Sequence, residues 1–157
     1  MMDSPVLTLH SPHDYADLVG TEFGPGRWML IDQPLIDRFA ETTGDDAWFH
    51  LDVERAQREL PGGRTIAHGL LTLSLIPGLL YELIKFKHVC RALSYGYDRL
   101  RFPVPVPEGG RIRLRGRISG VERREAGLFV TLECVVELEG TEKPALVTNM
   151  LELIFDE

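Results

Sequence analysis

The chain has 157 residues, about the size of one ordinary domain, and 44% of them are hydrophobic, which is enough to bury a core. Its 17 basic and 24 acidic residues give a net charge of −7 at pH 7. This acidic balance argues against general nucleic-acid binding, so we expect no nucleic-acid partner.

The cysteine and hydropathy patterns narrow the class of protein further. Cys90 and Cys134 lie far apart, without the spacing of a zinc site or a disulfide framework, and are expected to be buried free thiols. The first residues show no basic segment followed by an apolar run, and the most apolar stretch, residues 69–84, is shorter than the ~20 residues that span a bilayer. We therefore expect a single cytoplasmic domain over residues 1–157, with no membrane partner.

The first third of the chain predicts short elements. Residues 1–26 are punctuated by prolines, and we interpret them as an N-terminal extension packed on the domain, with one short helix at 13–19. A short strand at 27–31 leads into a helix at 34–43, whose apolar residues recur on one face. Asp32 stands at the N-cap position of that helix, and Gly44 can take the left-handed conformation that ends it.

The segment after Gly44 carries the candidate chemistry. It offers a carboxylate at Asp45 and, five positions later, an imidazole at His50, just before a second short helix at 53–59. A turn between them would let both side chains converge on a volume that holds one water. On the residues alone, a helix-ending aspartate and a structural histidine that satisfy turn backbone remain an alternative.

The rest of the chain changes from a helical to a strand pattern. Residues 69–84 are apolar on nearly every side, which is typical of a buried helix, and Pro77-Gly78 should kink it or mark a subunit contact. Period-two alternation then predicts long antiparallel strands, and the proline-rich run 102–107 is expected to be an edge bend or bulge. The predicted strands are 92–102, 111–121, 128–139 and 145–155.

These elements predict an α+β fold in which a curved antiparallel β-sheet wraps a long buried central helix. The strand at 145–155 is apolar on both faces, so it is either central in the sheet or covered by a partner chain. A homodimer follows naturally from the second possibility.

Three motifs follow one another along the chain: Gly44-Asp45 with His50, the run Thr65-Ile66-Ala67-His68-Gly69 that opens the apolar helix, and residues 95–107 (YGYDRLRFPVPVP). Together they resemble the MaoC-like hydratases, and most closely the nodulation-protein-N-like branch. The resemblance covers residues 28–157 and implies a hot-dog fold and a homodimer in which two sheets join. It also implies an (R)-specific enoyl-CoA hydratase, which adds water reversibly to trans-2-enoyl-CoA to give (3R)-3-hydroxyacyl-CoA.

The resemblance also implies the site residues. Asp45 and His50 would be the catalytic pair, and the backbone N–H of Gly69 would be the oxyanion donor. No metal and no cofactor is expected, apart from the coenzyme A that the substrate carries. Contacts to the acyl-thioester substrate are assigned to Trp48, Ile66, Ala67, His68, Arg99 and Arg101.

Two departures from the family pattern concern substrate fit. Some hydratases of the family place a serine beyond the His-Gly motif to support the aspartate; here the nearest position is Pro77, and Ser74 is the candidate substitute. Trp48-Phe49 replaces the Asn-Pro that often precedes the histidine.

Several alternatives stay open at this level. A hot-dog thioesterase generally needs an acidic residue on or beside the central helix. The only acid that this chain has there is Glu82, which lies near the end of the helix and counts against this alternative. A non-catalytic acyl-thioester-binding accessory protein and a subunit that needs a second hot-dog chain are also compatible with the motifs. For His68, helix capping or a bond to a carbonyl is favoured over catalysis.

Surface charge allows two interpretations. Arg111, Arg113, Arg115 and Arg117 form a basic stripe that is either a landing site for coenzyme A phosphates or an acidic carrier protein, or a solvated strand face balanced by Glu133 and Glu137. The second is favoured. His10, His13 and His88 are expected at the surface, and Tyr95 and Tyr97 are expected to pack.

Overall fold

The computed structural model describes residues 6–88, 91–125 and 127–155, so Cys90 lies outside the described residues. The strands are β1 (Leu7–Leu9), β2 (Glu22–Phe23), β3 (Met29–Ile31), β4 (Ile84–Phe86), β5 (Arg91–Arg101), β6 (Gly110–Arg124), β7 (Gly127–Leu138) and β8 (Leu146–Phe155). The α-helices are α1 (Gln33–Thr43), α2 (Trp48–Leu51), α3 (Val53–Glu59), α4 (Gly69–Ser74) and α5 (Ile76–Leu83), and a 3-10 helix spans Pro12–Leu18.

The main sheet has six strands in the order β2-β6-β7-β8-β5, with β3 also paired to β6, and each of these pairs is antiparallel. All four predicted long strands are present, with bounds shifted by three residues at most. β8 lies between β7 and β5, which explains why its sequence is apolar on both faces: the strand is central in the sheet.

The buried helix is present as two segments. Leu75, between α4 and α5, keeps right-handed helical dihedrals, and its N–H donates to the Leu71 carbonyl. The predicted interruption therefore lies two residues before Pro77, which has no N–H to donate to the Leu73 carbonyl. Ile76, Leu79, Leu80 and Leu83 are buried against the sheet, whereas Leu70 and Tyr81 are 57% and 59% exposed in the single chain.

The described part of the N-terminal segment belongs to the same core. Leu9, Tyr15 and Phe23 are all buried, and β1 pairs in parallel with β4 directly after the helix. The ring of Phe23 lies over β6 at Gly116, where an added Cβ would come within 2.5 Å of the ring. A glycine is required there because only a bare backbone lets the ring approach so closely.

The proline-rich run leaves the sheet, as predicted for an edge bend. Residues 102–106 have no strand pairing, and Pro107 forms an isolated bridge to Ile66. The Ala67 N–H donates to the Val106 carbonyl at 2.8 Å, and the Glu108 N–H donates to the Thr65 carbonyl at 2.8 Å. These bonds hold the run against the segment that opens α4. Within the described residues, no helix is long and apolar enough to cross a membrane.

Candidate active site

The candidate site begins where α1 ends. Asp32 caps the start of this helix by accepting the Leu35 N–H at 3.0 Å, and Gly44 ends it with a φ of 75° and an N–H bond to the Ala40 carbonyl at 2.8 Å. Both caps are confirmed as predicted. Asp45 therefore leaves the helix on a fixed path, with its side chain 56% exposed.

His50 precedes α3, as predicted, and it also lies inside the additional single helical turn α2, which was not predicted. It is 6% exposed, and its Nδ1 lies 2.6 Å from the Ile66 carbonyl oxygen. A carbonyl only accepts hydrogen bonds, so Nδ1 carries the proton and Nε2 carries the lone pair. Burial lowers the pKa of His50 from its ordinary value, although the bond to Ile66 opposes this shift. The imidazole is therefore a neutral base, and its Nε2 has no hydrogen-bond partner in the part of the chain that the structure describes.

Two residues outside the predicted site hold α2 in place. Gln33, at the first position of α1, donates from Nε2 to the His50 carbonyl at 2.8 Å. The buried Thr65 hydroxyl donates to Gln33 Oε1 at 2.5 Å. Gln33 is not predicted as a site residue, because nothing in the sequence marks a contact between residues 17 positions apart.

His68 contacts both Asp45 and His50. It is 2% exposed, and its ring stacks on that of His50 with centroids 3.7 Å apart and planes at 24°. Its Nε2 lies 2.9 Å from the Asp45 carbonyl oxygen and 4.0 Å from the Asp45 carboxylate. The carbonyl bond predicted for this residue is present, and no side-chain cap of α4 is formed.

Asp45, His50 and His68 each place one polar atom within 4.8 Å of the others. That span suits one water, because two hydrogen bonds of about 2.8 Å can bridge it. A tetrahedral metal ion would need ligand lone pairs that converge on one point. The stacked rings do not offer this, because the His68 nitrogen that faces Asp45 is Nε2, which donates to the Asp45 carbonyl, so the lone pair of His68 lies on Nδ1 instead. The cluster is better suited to proton transfer than to metal binding.

A cleft of about 260 Å³ opens beside His50. Gly69, the first residue of α4, lies on its wall, and the ring of Phe102 lies 3.1 Å from where a Gly69 Cβ would be. Ile66 and Ala67 also line the cleft, and their contact with substrate stays a prediction. The remaining lining is mostly apolar: Thr72, Val104, Pro105, Val106 and Ala145.

Four other residues assigned to substrate contact lie outside this lining, namely Trp48, His68, Arg99 and Arg101, and Asp45 also lies outside it. Trp48 packs under the Arg55 guanidinium, which is 3.9 Å from its ring centroid. Arg99 and Arg101 are exposed on β5, close in sequence to Phe102, and neither has an ion-pair partner among residues 6–88, 91–125 and 127–155. Their contact with substrate stays a prediction.

Four other residues with sequence-based predictions, Ser74, Tyr95, Tyr97 and Cys134, lie outside the cleft lining. The exposed Ser74 hydroxyl donates to the Leu70 carbonyl at 2.7 Å, so it does not replace the supporting serine. Tyr97 packs against the core as predicted, whereas Tyr95 is 60% exposed because a bulge in β5 after Ser94 changes the alternation. The described Cys134 is a buried free thiol, as predicted.

The basic stripe on β6 is neutralised by carboxylates across the ladder. Arg111 pairs with Glu139, Arg117 pairs with Glu133, and Glu137 binds both Arg113 and Arg115. Of the two interpretations, the solvated strand face with balanced charges is confirmed, because all four guanidinium groups already bind carboxylates of this chain. His10, His13 and His88 are exposed, as predicted.

Comparison with known proteins identifies the family of the chain. Residues 14–138 match the family model of the MaoC like domain. The chain is 41% identical over 145 residues to 3-hydroxyacyl-thioester dehydratase Z of Mycobacterium tuberculosis, which covers 92% of this chain and 95% of the relative. It is also 41% identical over 143 residues to Nodulation protein N of Rhizobium leguminosarum bv. viciae, covering 90% of this chain and 89% of that protein.

The solved structure of unliganded R-hydratase PhaJ1 from Pseudomonas aeruginosa has a TM-score of 0.71 to this chain at 23% sequence identity, covering 91% of this chain and 86% of that one. At that identity the likeness shows the fold, which is the hot-dog fold that the three motifs predict. The chain belongs to the MaoC-like dehydratase family.

Proposed function

We propose that this protein catalyses the reversible addition of water to a trans-2-enoyl thioester, giving the (3R)-3-hydroxyacyl thioester, with enoyl-CoA as substrate. The observation that carries the proposal is the neutral His50, which lines one cleft with Gly69 and has a ring nitrogen within 4.8 Å of the Asp45 carboxylate, close enough for one water to bridge the two groups. A relative of similar length carries the name 3-hydroxyacyl-thioester dehydratase, which describes the same reaction in the reverse direction.

The two side chains account for both proton transfers. In hydration, a water held between Asp45 and His50 loses a proton as its oxygen bonds to the β-carbon, and the electrons of the double bond move onto the thioester as an enolate. The α-carbon then takes a proton, which the same pair returns. In dehydration, the pair removes the α-proton and protonates the departing hydroxyl. No redox partner is needed, because water and the thioester balance in both directions.

The enolate oxygen needs a donor, and we assign this role to the backbone N–H of Gly69. As the first residue of α4 it has no intrahelical acceptor, and it lies on the wall of the cleft that contains His50. Loss of one such donor typically lowers the rate about 100- to 1,000-fold. The apolar wall formed by Ala67, Val104 and Val106 would receive the acyl chain next to the thioester.

Hydrolysis of the thioester is less well supported. Glu82, the acid on the central helix, is held by Arg27 through two hydrogen bonds of 2.8 and 2.6 Å. The hydrogen bonds from Arg27 lower the pKa of Glu82, which keeps it ionised and engaged. It also lies outside the lining of the cleft that contains His50 and Gly69.

We also propose that the active form is a homodimer joined along β5. This strand forms one edge of the six-stranded sheet, and Leu93 and Tyr95 on it are 51% and 60% exposed. An unpaired edge with exposed apolar side chains is a template for pairing with a second chain. Sedimentation equilibrium that returns the monomer mass at assay concentrations would refute this assembly.

The function is tested by incubating the purified protein with a short trans-2-enoyl-CoA and following the loss of enoyl-thioester absorbance, with product chirality determined separately. We expect the 3R product and a rate that falls about 100- to 10,000-fold in Asp45→Asn and in His50→Ala. Asp46→Asn, which neutralises the adjacent exposed carboxylate, is the matched control and should retain activity.

Two results would overturn the proposal. One is a wild-type protein that hydrates neither coenzyme A nor carrier-protein enoyl thioesters, which would favour a binding role. The other is release of free thiol without hydration, which would favour thioester hydrolysis. Full activity in both Asp45→Asn and His50→Ala would leave hydration in place but remove the assigned pair.

A further inference from the structure

His68 combines three features that a purely structural residue does not need. Its Nε2 donates to the backbone carbonyl of Asp45 at 2.9 Å, because a carbonyl can only accept. Its ring stacks on His50 at 3.7 Å. Its Nδ1 is buried and has no hydrogen-bond partner among the described residues. The first two features join His68 to both members of the catalytic pair.

We propose that His68 is a positioning residue that fixes the relative placement of Asp45 and His50, through its hydrogen bond to one and its stacked ring against the other. It is not assigned a proton-transfer step. This inference rests on the proposed hydration, and it replaces direct substrate contact as the role of His68. The bond to the Asp45 carbonyl anchors a loop that has no secondary structure of its own.

The hydrogen bond acts at the point where the chain needs restraint. Asp45 follows the end of α1, its carboxylate is more than half exposed, and its N–H makes a long contact of 3.4 Å with the Thr43 hydroxyl. The His68 bond fixes the carbonyl of the same residue. Without it, the loop between Gly44 and α2 could move the carboxylate relative to His50, and a displacement near 1 Å can cost about 100-fold in rate.

The stacked ring restrains the second catalytic group. His50 is tied to Ile66 through Nδ1, but that single bond leaves its ring free to tilt about the bond axis. His68 covers one face of the ring, and Phe49 contacts it edge-on with centroids 4.4 Å apart. Phe39 in turn packs beside His68 with centroids 5.1 Å apart. The rotation of the base is therefore set by packed rings.

The unpaired Nδ1 indicates that His68 does more than fill space in the core. A buried acceptor without a partner destabilises the folded state, and an apolar ring of similar shape would remove that cost. His68→Phe keeps a ring against His50 and loses the donor to Asp45. His68→Gln places an amide N–H near the position of Nε2 and loses the ring. The two variants therefore separate the hydrogen bond from the stacking.

We expect His68→Phe to unfold at no lower temperature than the wild type and yet to lose about 100-fold in kcat, with a smaller change in KM. His68→Gln should recover part of that loss, because it restores the donor. If His68 only filled space, His68→Phe would keep the full kcat of the wild type. His68→Gln would then be less stable than the wild type, and its amide N–H would bring no gain in kcat over His68→Phe. That result would overturn the inference.

A second measurement does not depend on activity. Nitrogen-15 spectra of the histidine rings should show His50 protonated at Nδ1 and His68 protonated at Nε2. Replacement of His68 by phenylalanine should shift the backbone amide signals of residues 44–47, where the hydrogen bond to Asp45 is lost, and the ring-nitrogen signals of His50, on which His68 stacks. Unchanged amide signals in residues 44–47 together with unchanged His50 ring signals would overturn the positioning role, even if the wild type did not hydrate any thioester.

The two failures are therefore distinguishable. A wild type without hydratase activity, but with the expected tautomers and loop shifts, refutes the proposed function and leaves the positioning geometry intact. An active wild type whose His68→Phe variant keeps the same kcat refutes the positioning role alone.

Discussion

Glu152 gives the sharpest test of the energetics of this fold. It lies in the middle of β8 and is 4% exposed, on the strand face that it shares with the buried Leu146, Met150 and Ile154. Among the described residues its carboxylate has no hydrogen-bond or ion-pair partner, and burial raises its pKa from 4.5 to about 7. Glu152→Gln keeps the shape of the side chain and removes the charge.

The pKa shift sets the sign and size of the expected effect. The folded state binds the Glu152 proton more tightly than the unfolded state does, so this contribution to stability is fully present below pH 4.5 and is lost as the pH rises through about 7. A shift from 4.5 to about 7 corresponds to about 3 kcal/mol, at roughly 1.4 kcal/mol for each pKa unit. Above pH 8 the wild type therefore carries an ionised, unpaired carboxylate inside the core.

The assay is urea unfolding of the wild type and Glu152→Gln at several pH values from 5 to 8, at one protein concentration. We expect the free energy of unfolding of the wild type to fall relative to the variant as the pH rises, by up to about 3 kcal/mol. Glu54→Gln, which changes an exposed carboxylate on α3, is the control and should show no such trend. A constant difference between wild type and Glu152→Gln across the range would refute the reasoning, because the carboxyl group would then titrate alike in both states.

Two further predictions concern the cleft. Gly69→Ala would place a Cβ 3.1 Å from the ring of Phe102, so we expect kcat/KM to fall about tenfold or more. The double variant with Phe102→Leu should recover part of that loss, because it removes the ring. Equal activity in the wild type, Gly69→Ala and the double variant would contradict this close approach. Arg101→Ala should raise KM for enoyl-CoA about fivefold, equivalent to about 1 kcal/mol, whereas Arg115→Ala, whose guanidinium already binds Glu137, should not; equal KM values would remove Arg101 from substrate binding.

Local chemistry made some elements predictable from the sequence. Asp32 and Gly44 mark the ends of α1 because an N-cap carboxylate and a left-handed glycine act within a few residues of themselves. The same holds for the period-two strands, whose inward and outward positions follow from the pleat alone. Pro77 interrupts the central helix for an equally local reason, since it lacks the N–H that the ladder needs.

Contacts between distant residues were not readable in the same way. The placement of His50 inside α2 depends on Gln33, which reaches its carbonyl from 17 positions away, and on the Ile66 carbonyl, 16 positions away. Glu152 is a different case, because its alternation with Met150 and Ile154 already placed it on the inner face. The alternation of β8 therefore predicts that Glu152 is buried, although a carboxylate among apolar residues is easily taken for an exception to that alternation.

The chemistry of the site depends mainly on two backbone carbonyls. Ile66 fixes which nitrogen of His50 carries the proton, and Asp45 does the same for His68. Neither carbonyl belongs to a helix or to one of the eight strands, and each comes within reach of its histidine only when the loop after α1 meets the segment before α4. Residue types and spacing identify which side chains take part. Their protonation state is a product of tertiary structure, and for that reason exchanging His68, which transfers no proton in the proposed reaction, should change the rate of proton transfer at His50.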